Sequence, residues 1–315
     1  MSNELLKLFS DLDRTKVRVR RPSKFIFFCG GRLETEVSAA SSLRHYLLKD
    51  RKISTRLDAE VILAERANQL YRDTDYHDLI TFEEDIAKIS AMVLVVAESE
   101  GSLAELGAFA SNEATRSSLT IIIQELFADT ESFIRFGPIE RIKRDDGTRV
   151  GFYPWRTNKQ RNLIKSSIRE HVRQIIEFIN AGIKRVPTTF SYSSCEDIEQ
   201  FIVIYWVIYL ANAITLGKLT QLVSSLLGPS TQDEVRRSLY CMRLAGWVNL
   251  HSYSGQDYYY VLIDIDPFEK YAFLPSAADK DSARRKAEVS LALKLDLALP
   301  PYIRKMAAEK RRGSQ

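Results

Sequence analysis

Three glutamates stand out by type and position. Glu105 falls in "VLVVAESEGSLAELGAF" (93–109), where a β-branched run breaks at a short loop of two acids, a serine and a glycine, then gives way to a helical pattern. Glu65 closes "DAEVILAE" (58–65), and Glu83 sits in "ITFEEDIAKIS" (80–90). Cleavage of a glycosidic bond needs two carboxyl groups in unequal environments. One ionised group attacks or stabilises an anomeric carbon, and a second, with raised pKa, protonates the leaving group. Glu105 and Glu83 are the candidate catalytic pair. Structural explanations compete with this one. Ser102-Leu103-Ala104-Glu105 matches a capping box, in which Glu105 would only bond the Ser102 backbone N–H. Glu83, followed by Glu84 and Asp85, reads equally well as part of a solvated helix face.

The elements that must position these groups alternate between strand and helix. "KFIFF" (24–28), "DAEVILAE" (58–65), "AMVLVVA" (91–97) and "LTIIIQ" (119–124) read as strands, with helices at 37–50, 80–90 and 102–114 between them. Buried apolar runs separated by helices predict an α/β fold with a parallel sheet covered on both faces. Ligands of such sheets lie beyond the carboxyl ends of the strands. There the chain carries Cys29-Gly30-Gly31-Arg32, Ala64-Glu65-Arg66 and Glu98-Ser99-Glu100-Gly101-Ser102. Cys29, Gly30, Gly31, Arg32, Glu65, Ser99, Gly101 and Ser102 are therefore candidate substrate contacts. The glycines admit a ligand to the backbone, and a helix starting at Ser102 offers N–H groups to a phosphate. Arg32 or Arg66 would add a charge-assisted contact. "RDDGTRVGFYPWR" (144–156) suggests an edge hairpin, and 159–185 a long amphipathic helix whose stripe includes Leu163, Ile168, Ile175 and Ile179. The Pro/Ser/Thr-rich stretch that follows ends a first domain, 1–190.

The remainder changes character. An apolar helix (198–213), "TLGKLTQLVSSLLG", a further helix running into a strand, and "HSYSGQDYYYVLI" with Ser254-Gly255 at its tip are in the order of a winged helix-turn-helix. This predicts a smaller domain, 191–275. Lys218, Arg236, Arg237 and Arg243 on its helices are candidate nucleic-acid or partner contacts, and Tyr258, Tyr259 and Tyr260 could stack bases. The alternative for the tyrosines is a small core. A basic tail, 276–315, has ten Lys/Arg against four Asp/Glu from Lys280 onward, and "RTKVRVRRPSK" (14–24) is a second basic block. Such blocks read as solvated tails or acidic-partner contacts. The apolar "VSLALKLDLALPPYI" (289–303) could be an interaction helix or an oligomer contact.

Composition sets the outer limits. With 315 residues, 45% of them hydrophobic and 27% charged, the chain can bury a substantial core and is not wholly disordered. A net charge of +4 excludes a polycation. The three cysteines, Cys29, Cys195 and Cys241, are far apart, and no two share a metal-ligand spacing. A reduced, cytoplasmic chain with no structural metal is the simplest reading. The most apolar window, 201–214, is too short to span a bilayer, so no membrane association is expected.

The stretch "AESEGSLAELGAFASNE" resembles the active-site segment of nucleoside deoxyribosyltransferase-like proteins. Their Ser-x-Gly-Ser/Thr-x-x-Glu-Leu-Gly pattern is matched here by Ser99, Gly101, Ser102, Glu105, Leu106 and Gly107. From about residue 24 to about residue 270 the chain also resembles the effector proteins of bacterial retrons, through "FFCGGR" (27–32), "ESEGSLAELGAFASNE" (98–113), "SFIRFGP" (132–138) and a C-terminal winged-helix-like domain. The resemblance implies a flavodoxin-like, deoxyribosyltransferase-like domain that acts as an N-glycosidase, with Glu105 as its catalytic carboxylate and no cofactor. It implies a toxic arm of anti-phage defence, restrained by a reverse transcriptase and its multicopy single-stranded DNA (msDNA), and working as a homo-oligomer or larger assembly. Related effectors are linked to loss of NAD, which would make NAD the substrate and nicotinamide the product. Ala64-Glu65 departs from the Pro or Asp of the deoxyribosyltransferases proper and points to hydrolysis. Two other functions fit parts of the chain: a winged-helix regulator that senses a nucleotide without cleaving it, and a nucleoside deoxyribosyltransferase. A sensor has no need of a carboxylate aimed at an anomeric carbon. A transferase leaves the C-terminal domain without a role.

Overall fold

A computed structural model describes residues 3–33, 41–65 and 76–311. The chain divides into two compact units. One comprises Lys24–Arg72 and Asp78–Val186, the other Met1–Ser23, Asp73–His77 and Pro187–Gln315. The first 23 residues, expected with the sheet, thus group with the C-terminal half, as helix α1 (Asn3–Ser10) and strand β1 (Arg18–Arg20).

The sheet unit contains β2 (Phe25–Cys29), α2 (Leu43–Lys49), β3 (Glu60–Leu63), α3 (Leu79–Ile89), β4 (Met92–Ala97), α4 (Glu100–Ser111), β5 (Leu119–Gln124), α5 (Glu140–Asp146), β6 (Val150–Tyr153) and α6 (Val172–Arg185). The five strands are all parallel, in the order β3-β2-β4-β5-β6. Counted from the first strand of the sheet this is 2-1-3-4-5, the flavodoxin-like order, and its switch point lies between β2 and β4. Those two strands are apolar and buried at every position, as a sheet covered on both faces requires.

Alternation sorts the side chains between the faces. Ile26, Phe28, Leu94 and Val96 pack with Leu43 and Leu47 of α2 and with Ile175, Ile176, Ile179 and Ile183 of α6. Phe27 points the other way, edge-on to Phe82 of α3 at 6.4 Å and to Phe109 of α4 at 6.5 Å between ring centroids. Cys29, two residues on, shares that second face at the carboxyl end of β2.

Two expectations for this unit are corrected. The hairpin expected in 144–156 is instead β6, a parallel edge strand paired with β5. Its alternating burial had no antiparallel partner to make a hairpin with. The helix expected over 159–185 forms only from Val172. Residues 157–163 fold back on themselves through a bridge between Thr157 and Leu163, and Arg161 adopts a left-handed φ of 62°, which a right-handed helix cannot include. Leu163 and Ile168 still reach the core, which explains why the apolar period runs on past the helix.

In the other unit, α7 (Glu199–Ala211) is buried along nearly its whole length. It is followed by β8 (Ala213–Ile214), α8 (Leu216–Leu227), α9 (Gln232–Leu244), β9 (Val248–Tyr253) and β10 (Gln256–Val261), the three strands lying in the order β8-β10-β9. The hairpin turns at Ser254 and Gly255, both with positive φ, as a two-residue turn of the primed type requires. The two basic blocks are not free tails. Val17 and Val19 are fully buried, and β1 pairs antiparallel with Thr189–Ser191. From Ser282 the chain forms α10 (Ser282–Leu297) and α11 (Pro301–Lys310). Buried Arg285 binds Asp11 at 2.8 Å, while Ile303, Met306 and Ala307 pack on Ala213 and Tyr260. Among the described residues, no helix is long and apolar enough to cross a membrane.

Candidate active site

Helix α4 begins one turn earlier than its apolar pattern suggests. Its N-cap is Ser99, whose Oγ accepts the Ser102 N–H at 3.2 Å, and the Ser102 hydroxyl accepts the Ser99 N–H at 3.0 Å. The capping box is therefore Ser99 with Ser102, and Glu105, in the second turn, has no part in it. Instead its Oε2 is buried without a hydrogen-bonding partner among the described residues. A buried, unsatisfied carboxylate oxygen costs stability, so its presence calls for a role other than folding.

Three more acidic or polar groups share its surroundings. Burial raises the Glu105 pKa, with the Arg44 charge acting against the rise and Glu65 adding to it. Glu83, in the second turn of α3, is pushed up to about 8, first by burial and then by the charges of Glu105 and Glu65. The fully buried Cys29 thiol is pushed well above its usual range by burial, then by Glu105 and Glu83, so it remains a neutral SH. Cys29, Glu65, Glu83 and Glu105 are thus electrostatic neighbours at the carboxyl edge of the sheet.

The order of this edge depends on two residues outside the candidate substrate-binding and catalytic set. Arg44 is buried to 1% exposure. Its guanidinium donates to the Phe28 carbonyl at 2.9 Å, to the Gly31 carbonyl at 2.7 and 3.0 Å, and to both carboxylate oxygens of Glu65. Glu98, just past β4, accepts the backbone N–H groups of Gly31 at 3.1 Å, Leu43 at 2.6 Å and Arg44 at 3.0 Å. Burial raises its pKa, and these three donors work against the rise. The carboxylate closes the N-terminus of α2 alongside the N-cap Ser42 and ties the ends of β2 and β4 together across the switch point. A cation in the first turn of a helix is disfavoured by the helix dipole, and Arg44 stands there. That anomaly was the one available signal.

The substrate-binding set divides accordingly. Gly30 and Gly31 are needed for close packing: a Cβ would stand 2.9 Å from Arg44 Cδ at the first and 2.7 Å from Ser42 Cβ at the second. The Gly31 amide, expected to lie open to a ligand, already donates to Glu98. The Ser99 and Ser102 hydroxyls are spent on the cap. Arg32 and Gly101 are exposed, with the Arg32 charge felt at Glu100. Arg66 lies outside the described residues. In the other unit, Lys218 and Arg243 are exposed, Arg236 pairs with Asp233 at 3.1 Å, and the Arg237 guanidinium lies 5.9 Å from the Tyr76 ring. Tyr259 and Tyr260 are buried, so they pack a core and do not stack bases. No group of His, Cys, Asp and Glu among the described residues could hold a metal ion.

Residues 40–250 match the family model of the STM3845 retron effector protein. The chain belongs to the retron effector family. Among its relatives, the Escherichia coli retron Ec73 protein, whose name proposes a ribosyltransferase/DNA-binding role, is 24% identical over 277 residues, covering 82% of this chain and 86% of that one. The retron Ec86 protein of the same organism, with a name proposing the same role, is 29% identical over 119 residues, 38% of this effector and 37% of that protein. The effector's three clustered glutamates, Glu65, Glu83 and Glu105, and both anchoring residues, Arg44 and Glu98, lie inside the span that matches the family, and Cys29 lies before it.

Proposed function

We propose that this retron effector is an N-glycosidase of the nucleoside deoxyribosyltransferase-like kind, which hydrolyses the nicotinamide–ribose bond of NAD. The observation that carries the reading is the state of Glu105. It is excluded from the helix cap, half-buried, unsatisfied at one oxygen, and set beside a second carboxyl group whose proton is held to about pH 8. In this mechanism Glu105, with the Arg44 charge favouring its ionised form, stabilises or attacks C1′ as the C1′–N bond breaks. Water supplies the new oxygen at C1′, and its proton passes to the site and on to solvent. Nicotinamide leaves as a neutral base from a cationic precursor and needs no proton. Protonated Glu83 would serve substrates whose base must be protonated to leave. Arg44 and Glu98 hold the loops in register.

The proposed setting is the cytoplasm, where this activity would be the toxic arm of an anti-phage retron. The reverse transcriptase and its msDNA would restrain it, within a homo-oligomer or larger assembly. The order α7, β8, α8, α9, then the β9–β10 hairpin, supports a winged helix-turn-helix reading of the second unit. Lys218 and Arg243 are its accessible cations for nucleic acid or for the reverse transcriptase.

A substrate panel tests the activity. The purified effector, stripped of copurifying nucleic acid and reverse transcriptase, is incubated with NAD and with deoxynucleotides, and released bases are separated by chromatography. Nicotinamide is the expected product. Release of another base keeps the glycosidase and changes its substrate. No base from any nucleotide overturns the reading.

A further inference from the structure

Helix α4 has a second feature on its other side. A half-open cavity of about 260 Å³ lies beyond the carboxyl ends of β4 and β5, against Ser99, Glu100 and Leu103 of the first turn. At 100° per residue, Leu103 and Glu105 point about 200° apart, so the cavity and the carboxylate cluster flank the start of one helix. The cavity walls are apolar and aromatic, with Ile123, Phe127, Ile134 and Trp155, and Gln124 contributes an amide. Gln124 donates to the Trp155 carbonyl, which fixes that amide in place.

The mouth is charged. Arg161 reaches it from the 157–163 loop and pairs with Glu100. Arg161 holds a left-handed φ of 62°, a conformation that non-glycine residues rarely adopt. The Asn158 side chain stabilises the loop by accepting the N–H groups of Gln160 at 3.0 Å and Asn162 at 2.9 Å. Both members of the ion pair are about four-fifths exposed, and a pair so placed contributes little stability and is readily exchanged. The Glu100 carboxylate therefore occupies, at the N-terminus of a 12-residue helix, the position where a ligand anion would find both the helix dipole and a guanidinium.

We propose that this cavity is a second subsite, taking the other base of a dinucleotide, an adenine-type ring, with its 5′-phosphate displacing Glu100 at Arg161. The proposal rests on the N-glycosidase reading, in which the first ribose stands at Glu105. The volume is just below the range that holds a drug-sized ligand. It suits one base with part of its sugar, and not a whole dinucleotide. An apolar, aromatic wall beside an amide is what a purine face and edge require. The two sites on either side of α4 would then select a dinucleotide over a mononucleotide.

The test reads binding and turnover separately on the full-length protein. AMP is titrated by calorimetry into wild type and into Phe127→Ala, Arg161→Ala and Glu100→Gln. AMP is expected to bind wild type, at least tenfold more weakly to Phe127→Ala and Arg161→Ala, and several-fold more tightly to Glu100→Gln, which removes the competing carboxylate. Ribose 5-phosphate, lacking the base, is expected to bind at least tenfold more weakly than AMP. In turnover, the preference in kcat/KM for NAD over nicotinamide mononucleotide should fall at least tenfold in Phe127→Ala and Arg161→Ala. Absence of AMP binding, or AMP binding that none of the substitutions changes, overturns the subsite. AMP binding of the expected pattern with no base released from any nucleotide would leave the subsite standing and remove the glycosidase. Nicotinamide release without AMP binding would do the reverse.

Discussion

The Ser102 hydroxyl accepts the Ser99 backbone N–H at 3.0 Å and completes the cap of the helix that carries Glu105. That small relationship separates two accounts of one acidic residue. With Ser102 in the capping position, Glu105 has no role in starting the helix, and its half-buried carboxylate needs another reason to be there.

Glu105→Gln is therefore expected to leave folding intact. Loss of a cap costs about 1 kcal/mol. Here no cap is lost, and the substitution removes a charge that burial disfavours. Thermal unfolding of the variant should be equal to wild type or somewhat higher at neutral pH. A clear loss of stability would return Glu105 to a structural role.

Glu83 makes stability depend on pH in a definite direction. An ordinary Glu in the unfolded chain loses its proton near pH 4.5, whereas in the fold it holds it to about 8. Between those values the folded state binds more protons than the unfolded chain, so the stabilising contribution is complete below about 4.5 and is lost as pH rises through about 8. One pKa unit corresponds to about 1.4 kcal/mol, which sets an upper limit of roughly 5 kcal/mol on the change. Urea unfolding of wild type and Glu83→Gln between pH 5 and 9 should show the decline in wild type and a shallower one in the variant.

The same proton predicts a split between substrates. A base that must be protonated to leave should be released more slowly as pH rises through about 8, because Glu83 loses its proton there. Nicotinamide release from NAD should lack that falling limb. Parallel pH–rate profiles for NAD and for a deoxynucleotide would decide, and identical alkaline limbs would remove Glu83 as the acid.

Arg44 should resist conservative replacement. Its guanidinium binds two carbonyls and both Glu65 oxygens, a fork that Lys cannot reproduce. Breaking a buried ion pair from one side costs about 3–5 kcal/mol. Because Glu65 is partly exposed, the lower end of that range is expected for Arg44→Lys and for Arg44→Met. Denaturant unfolding measures it.

Gly31→Ala is expected to cost about 1–3 kcal/mol, as overpacking does. Its Cβ would stand 2.7 Å from Ser42 Cβ and 3.0 Å from Glu98 Cδ, so the Glu98 staple must shift. Thermal unfolding should show the loss. An unchanged midpoint would mean that the loop yields freely.

Much of the sheet unit was legible because its signals are local. The runs at 24–28, 91–97 and 119–124 are mostly apolar, and each gives a largely buried parallel strand. The 157–163 loop misled because Leu163 and Ile168 bury themselves from irregular backbone, and helical spacing records burial, not hydrogen bonding. At the candidate site, Glu105 could be named from its place after a strand and Glu83 from its place in the helix between two strands. Arg44 and Glu98 could not, since their partners are mostly backbone groups brought close only by the parallel pairing of β2 with β4. The N-terminal residues were assigned to the wrong neighbour because β1 pairs with a strand more than 160 residues away, a relation no local pattern records.

The central claim is tested most directly by nicotinamide release from NAD, measured with wild type and Glu105→Gln side by side after both are shown to be folded. Release by wild type and at least a thousandfold less by the variant, at unchanged thermal stability, is the expected result. Equal release by the two proteins would contradict the account, because the carboxylate set aside from the cap would then have no part in the chemistry.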